Sequence, residues 1–213
     1  MRAGFGSAAI RPHVAALEES LSPKQTQLLR STYQVLAECG LKQMTLRRVA
    51  ERAGVNKGLL LYYFGTKEDL ILSTMRWVLA RVGHRIQAAV SQAGSAEDKV
   101  RATIDAIFVD PRANRDFYLV YLDLVGTAAR QRRFQELSAT FRNIVDAVYA
   151  HIIEEGVREG AFRVRDVQEA ASVVRAVVDG FFLQWLHEPD LEATHPVVRE
   201  RCKQAIFTYL KAG

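Results

Sequence analysis

The chain has 213 residues, 49% of them apolar, with 13 glycines and 5 prolines, as expected for one globular unit or a small domain fused to a larger one. Cys39 and Cys202 have neither a metal-binding nor a redox spacing, which argues against a disulfide-stabilised secreted protein and favours a cytoplasmic one. The longest stretch free of charged residues and histidine, residues 86–96, falls short of the roughly 20 apolar residues of a membrane span.

The net charge of +5 is concentrated near the N-terminus. Residues 1–66 contain nine basic and four acidic side chains, whereas residues 67–213 contain twenty of each sign. A basic module on a neutral body is typical of a protein that binds a polyanion at one end. Charge alone leaves open an accidental asymmetry of a solvated surface.

Apolar residues recur at helical spacing along most of the chain, and strand signals are nearly absent, so we predict an all-α fold. We interpret residues 1–21 as a flexible arm. Capping residues, glycines and prolines then predict nine helices, placed at residues 23–40, 46–53, 57–63, 66–93, 96–108, 114–130, 131–159, 167–187 and 196–211.

The second and third predicted helices have the spacing of a helix-turn-helix. Counted from Leu46, positions 5, 9, 10 and 15 are occupied by Ala50, Gly54, Val55 and Leu60. This motif needs a small residue where the helices cross, a glycine that accepts positive φ in the turn, and apolar residues that hold the second helix. An ordinary helical hairpin with the same spacing is the alternative.

With this segment in place, the stretch TLRRVAERAGVNKGLLLYYFGTKEDL at residues 45–70 resembles the DNA-binding signature of the TetR family of bacterial transcriptional regulators. EEGVREGAFR and AASVVRAVVDGFFLQWLHEPD, nearer the C-terminus, look like the seventh and eighth helices of that family. The resemblance covers almost all of residues 22–211. It implies a dimeric regulator that binds DNA and a small effector.

Residue by residue, the resemblance implies phosphate contacts for Thr45, Arg47 and Lys67. It implies base or backbone contacts for Lys57 and Gly58 at the start of the recognition helix, where a small residue permits close approach. Such a short helix fits the major groove of DNA, which is roughly 12 Å wide.

Tyr62 and Tyr63 match an aromatic pair that faces the groove and the DNA backbone; the alternative for one of the two rings is packing in the core alongside Phe64. Leu59 and Leu61 depart from the family pattern and favour apolar contact with thymine methyl groups. The predicted DNA-binding residues are Thr45, Arg47, Asn56, Lys57, Gly58, Leu59, Tyr62, Tyr63 and Lys67.

The resemblance also implies an effector site among the long helices, which are rich in aromatic residues. Asp179 is the most suggestive polar residue, because a carboxylate on an apolar helix is unfavourable unless it is paired. It could bind a cationic ligand or pair with Arg175. The predicted effector-binding residues are Trp77, Phe117, Tyr121, Phe141, Asp179 and Phe182, each with core packing as its alternative; we expect an apolar or aromatic effector.

The last two helices have apolar faces that predict a homodimer. One face consists of Val173, Val177, Gly180 and Gln184, and the other of Ile206 and Leu210. Packing within one chain is the alternative for each of these side chains.

Catalytic motifs are missing: the sequence has no HExxH, GxSxG, Walker or GxGxxG pattern. We therefore predict no enzyme, metal or cofactor.

We predict a three-helix DNA-binding domain at residues 22–68 and a larger helical effector-binding and dimerisation domain at residues 69–213. The expected function is a ligand-responsive regulator, a repressor that binds a palindromic operator as a dimer and is released by its effector. The alternative is a helical small-molecule-binding or scaffold protein that does not read DNA.

Overall fold

The computed structural model describes residues 20–212 of the chain. Within this range the chain forms nine helices and no strand, which confirms the predicted all-α fold. The helices are α1 (Pro23–Gln43), α2 (Leu46–Ala53), α3 (Lys57–Phe64), α4 (Lys67–Gln92), α5 (Ala96–Ile107), α6 (Pro111–Ala128), α7 (Arg132–Arg158), α8 (Val167–Trp185) and α9 (Leu191–Ala212). Residues 1–19 of the predicted arm lie outside the described residues. None of the helices described is long and apolar enough to cross a membrane.

Helix α6 begins at Pro111 rather than at the predicted Asn114. Asp110 caps it: the side chain accepts the backbone N–H of Ala113 at 2.8 Å, and the carbonyl accepts that of Asn114 at 3.0 Å. Proline suits the first turn of a helix, where the missing N–H would have no intrahelical acceptor. The prediction treated Pro111 only as the end of the preceding helix, and the start of α6 is corrected accordingly.

Helix α9 begins at Leu191, whereas the prediction started it at Pro196. Asp190 caps this helix as well, since its side chain accepts the backbone N–H of Ala193 at 2.9 Å. Pro196 therefore lies inside the helix, where it removes one backbone hydrogen bond. The neighbouring His195 is buried, and its Nε2 lies 2.9 Å from Oδ1 of Asn114, so a tertiary contact fixes this turn.

The described chain divides into two compact units. The first, which we call the head unit, contains residues 20–81 and 116–141. Helix α1 is kinked at Gly40, where φ is 73° and ψ is 170°. As predicted, this glycine ends the regular part of the helix. The fully buried apolar side chains of the unit include Leu28, Leu29, Met44, Val49, Leu70, Met75, Leu79 and Leu124.

The second, the body unit, contains residues 82–115 and 142–212. Two acidic residues at the end of α7 hold the first turn of α5: Glu155 accepts from Nζ of Lys99 at 2.5 Å, and Glu159 accepts the backbone N–H of Ala96 at 3.0 Å. The side chains at the centre of the core, each at most 1% exposed, include Ile104, Phe108, Ile152, Ile153, Phe182, Trp185, Cys202, Ile206 and Leu210.

Candidate functional site

The turn between α2 and α3 has the geometry that the helix-turn-helix spacing predicts. Gly54 adopts a left-handed conformation with φ of 64° and ψ of 38°. The backbone N–H of Val55 donates to the carbonyl of Ala50 at 3.0 Å, which closes the turn. Ala50 is buried and Leu60 is only 1% exposed, so α3 is held against the core by the predicted positions.

Thr45 and Asn56 cap the two helices, as expected. The Thr45 hydroxyl oxygen accepts the backbone N–H of Arg48 at 3.2 Å, and Oδ1 of Asn56 accepts that of Leu59 at 2.8 Å. Both residues are exposed. The hydroxyl hydrogen of Thr45 and the amide N–H groups of Asn56 are donors. They are the groups that a phosphate oxygen at these helix starts would need.

The outward side of α3 combines a cation, a small residue and an aromatic ring. Lys57 and Gly58 are exposed, and Tyr62 is 81% exposed. Tyr63 is half-buried, with its ring edge-on to that of Tyr62 at 5.2 Å between centroids. Of the two tyrosines, Tyr62 is therefore the one that points outward. Leu61 is 39% exposed, which adds apolar surface to the same helix.

Basic side chains flank this surface, and some of them are already paired. Nε of Arg47 lies 2.8 Å from Oε1 of Glu51, and the Arg47 side chain is 87% exposed. The hydrogen bond to Glu51 raises the pKa of Arg47. An exposed pair of this kind contributes little to stability, so Arg47 can exchange Glu51 for a phosphate at small cost.

Lys67 is half-buried at the first position of α4. Thr66 and Asp69 cap that helix: the backbone N–H of Asp69 donates to the Thr66 hydroxyl at 3.1 Å. The hydrogen bond from the Thr66 side chain is the main reason why the pKa of Asp69 is lowered, and the Arg133 guanidinium lowers it further. The start of α4 therefore carries the carboxylate of Asp69, two residues after Lys67, which is held in place by Thr66 and Arg133.

Three of the predicted effector-binding residues lie together in the head unit. The rings of Phe117 and Tyr121 are nearly parallel, with centroids 5.8 Å apart, and Phe141 meets Tyr121 edge-on at 5.8 Å. All three are half-buried. Trp77 belongs to the same unit and carries the Arg81 guanidinium 5.2 Å from its ring centroid. These rings are aromatic surface on which an apolar or cationic ligand can rest.

The other two predicted effector-binding residues belong to the body unit. Phe182 has no exposed surface and stacks on Phe108 at 4.1 Å. Asp179 is half-buried on α8. The Arg175 guanidinium, which the sequence offered as its partner, donates from Nε to Oδ1 of Asp146 at 2.6 Å. The pKa of Tyr149 is raised well above its ordinary value, by burial first and then by nearby groups that include Asp179.

The residues predicted to form a dimer interface fall into two groups. On α8, Val173, Val177 and Gly180 are half-buried and Gln184 is exposed. A Cβ added at Gly180 would meet nothing within 4 Å.

On α9, by contrast, Ile206 and Leu210 have no exposed surface. Both side chains pack inside the body unit and offer no area to a second copy. Leu183 and Val197, which the predicted faces leave out, are large apolar side chains that are 43% and 49% exposed. Phe182 precedes Leu183, and Pro196 and Val198 flank Val197, so no local pattern in the sequence marks either residue as exposed.

Residues 28–74 match the family described as bacterial regulatory proteins, tetR family. Residues 96–212 match the C-terminal part of the BetI-type transcriptional repressors. The first match contains the helix-turn-helix and the start of α4, and the second contains α5 to α9.

Individual proteins are similar over most of their length. The HTH-type transcriptional regulator BetI of Burkholderia thailandensis is 30% identical over 76% of this chain and 80% of its own. Among solved structures, a transcriptional regulator from Saccharomonospora viridis in complex with choline has a TM-score of 0.78 at 20% identity, covering 85% of this chain and 94% of its own. FadR from Bacillus subtilis in complex with stearoyl-CoA has a TM-score of 0.70 at 22% identity, covering 83% and 96%.

Proposed function

The chain belongs to the TetR family and is a ligand-responsive, DNA-binding transcriptional regulator, and we propose that it represses transcription by binding a palindromic operator as a homodimer. A small-molecule effector then releases it from DNA. The observation that carries this proposal is the outward side of α3, where Lys57, Gly58 and the 81% exposed Tyr62 stand on a helix anchored by Leu60. The division into a DNA-binding domain at residues 22–68 and an effector domain at residues 69–213 is part of the proposal.

In this proposal α3 enters the major groove, and Lys57, Gly58 and Tyr62 meet base edges and the adjacent backbone. Leu59 and Tyr63 border that surface. The groups that position the helix on phosphates are Thr45, Arg47, Asn56 and Lys67. Phosphate contacts set most of the affinity, and the few base contacts set the sequence preference.

A gel-shift experiment tests DNA reading. The probe is the intergenic DNA upstream of the protein's own gene, and the competitor is a shuffled fragment of equal length and composition. We expect a shift that the shuffled competitor does not remove, and a loss of this selectivity in Lys57→Ala. Equal binding to both fragments would instead favour the alternative, a helical ligand-binding or scaffold protein.

The dimer is proposed to form through α8, with Val173, Val177, Gly180 and Gln184 at its centre and Leu183 and Val197 beside them. Two-fold symmetry then places the recognition helices about one turn of DNA apart, roughly 34 to 36 Å, or a multiple of that. Gly180→Trp tests the interface, because a Cβ added at Gly180 would meet nothing within 4 Å and the bulky ring would obstruct a close approach of two copies. We expect monomers in analytical ultracentrifugation with thermal stability of the monomer fold retained; a stable Gly180→Trp dimer places the interface elsewhere.

The effector is proposed to be a small molecule with an apolar or aromatic body that rests on Phe117, Tyr121, Phe141 and Trp77 of the head unit. A quaternary ammonium is the second candidate class, because aromatic rings attract such cations and a structural neighbour holds choline.

Choline and stearoyl-CoA, titrated calorimetrically into free and operator-bound protein, separate these classes. Linkage requires operator DNA to weaken binding of the effector by the factor by which the effector weakens DNA binding, typically about 5 to 150-fold. A ligand that binds free and operator-bound protein equally tightly is not the effector.

A further inference from the structure

The segment 116–141, which contains most of α6 and about the first third of α7, belongs to the same compact unit as the helix-turn-helix. It contacts the rest of the head unit at the last residues of α1, just before the turn that leads into α2. There, Oδ2 of Asp123 on α6 accepts the backbone N–H of Leu41 at 2.9 Å. The two residues are 82 positions apart in sequence, so this is a tertiary contact and not a local cap.

Gly40 makes room for that carboxylate. A Cβ on Gly40 would lie 2.6 Å from Oδ2 of Asp123, and the φ angle of 73° is one that other residues rarely adopt. The carbonyl of Gly40 then accepts the backbone N–H of Met44 at 3.1 Å, one residue before Thr45 caps α2. The carboxylate of Asp123 is therefore bound at the start of the short turn that sets where α2 begins.

A second contact joins the same segment to the other side of the motif. The Arg133 guanidinium at the start of α7 donates to the carboxylate of Asp69, which caps α4 directly after α3. The side chains of this ion pair are 62% and 34% exposed. Because exposed ion pairs contribute little, we assign the larger effect to Asp123, whose hydrogen bond is partly buried.

We propose that Asp123 is a positioning residue for DNA binding, which fixes the start of α2 through the Leu41 backbone and thereby sets the presentation of the recognition helix α3. Asp123 itself touches no DNA. Hydrogen bonds to a charged acceptor are stronger than neutral ones, so a carboxylate restrains this turn better than packing alone.

The same geometry places the proposed effector-binding residues close in sequence to the contact between Asp123 and Leu41. Tyr121 lies two residues before Asp123 on α6, and its ring contacts Phe117 and Phe141. On this proposal, a ligand that displaces these rings would shift the turn of α6 that carries the acceptor of the Leu41 N–H. This extension rests on the proposed function, whereas the positioning role of Asp123 rests on the contact with Leu41.

Two variants and one control test the inference in the full-length protein. Asp123→Ala removes the acceptor, and Asp123→Asn keeps a neutral oxygen in the same place. Glu136→Ala is the control, since Glu136 lies in the same segment, its side chain is 70% exposed, and its ion pair at 3.5 Å is with Arg132 on the same helix. Asp123 is itself an exposed residue, so we expect all three variants to fold.

We expect Asp123→Ala to weaken binding to the selectively shifted DNA fragment by about tenfold, Asp123→Asn by less than about threefold, and Glu136→Ala not at all. Hydrogen exchange should show faster exchange at Leu41 and through α2 in Asp123→Ala only. Unchanged DNA affinity in Asp123→Ala overturns the positioning role, even if the Leu41 amide exchanges faster. If the unmodified protein binds no fragment selectively, the proposed function fails, and unchanged protection of α2 in Asp123→Ala then overturns the inference separately.

Discussion

Two residues of α3 provide the sharpest test of the DNA-binding surface, because they lie two positions apart and have opposite exposure. Tyr62 is 81% exposed, whereas Leu60 is 1% exposed. If α3 reads DNA with the side that carries Tyr62, truncation of Tyr62 should affect DNA binding and leave the fold intact. Truncation of Leu60 should lower the stability of the fold itself.

The expected magnitudes follow from this difference in burial. Leu60→Ala deletes a fully buried side chain and should lower the free energy of unfolding by about 2 to 5 kcal/mol. Tyr62→Ala should change it by no more than about 0.5 kcal/mol, the usual range for surface substitutions. On DNA, loss of a hydrogen bond from the Tyr62 hydroxyl to a phosphate should cost about 1.5 to 3 kcal/mol, roughly a 10 to 150-fold weaker affinity.

Urea unfolding measures the first quantity, and fluorescence anisotropy with the selectively shifted fragment measures the second. Tyr62→Phe separates the two parts of the side chain: it should show the full loss if the hydroxyl makes the contact and little loss if the ring does. The reasoning is refuted if Tyr62→Ala binds DNA as tightly as the unmodified protein, or if it destabilises the fold as much as Leu60→Ala does.

Three further variants test the phosphate contacts and the body unit. Lys67→Ala should weaken binding to all DNA sequences alike and reduce the slope of log affinity against log salt by about 0.9, measured by anisotropy at several salt concentrations; an unchanged slope would remove Lys67 from the interface. Gly156→Ala should lower the free energy of unfolding in urea by about 1 to 3 kcal/mol, because its Cβ would clash with the ring of the buried Phe162; a neutral effect would show that the ring moves freely. Burial lowers the pKa of His195, so below about pH 6.5 the unfolded chain binds a proton that the folded chain does not. The free energy of unfolding should therefore fall as the pH drops through that range, and His195→Gln should flatten the dependence in urea titrations between pH 5 and 8.

The helix-turn-helix was predictable because each of its determinants is local. The positive φ at Gly54 and the caps Thr45 and Asn56 depend on residues within one short segment. The starts of α6 and α9 were not placed correctly for an equally local reason. Asp110 and Asp190 cap these helices, whereas the prediction takes its boundaries from the nearby Pro111 and Pro196.

Helical periodicity could not separate the inside of one chain from the contact between two. Ile206 and Leu210 share a helix face just as Val173 and Val177 do, yet the first pair has no exposed surface and the second pair is half-buried. An apolar stripe indicates only that one face of a helix is shielded from water. Which neighbour covers it depends on the arrangement of several helices, and that arrangement is not encoded in the spacing of any one of them.

The contact between Asp123 and Leu41 in the head unit likewise could not be predicted from the residue pattern of a single helix. In the sequence, Gly40 was recognisable as the end of a helix, and a positive φ is sufficient reason for a glycine there. Its second requirement, room for a carboxylate 2.6 Å from where a Cβ would lie, comes from a residue on a distant helix. A boundary at residue 68 would separate the DNA-binding motif from Asp123 and Arg133, which contact it on both sides. The part of the chain that holds α2 and α3 in position is therefore larger than the part that carries the sequence signature.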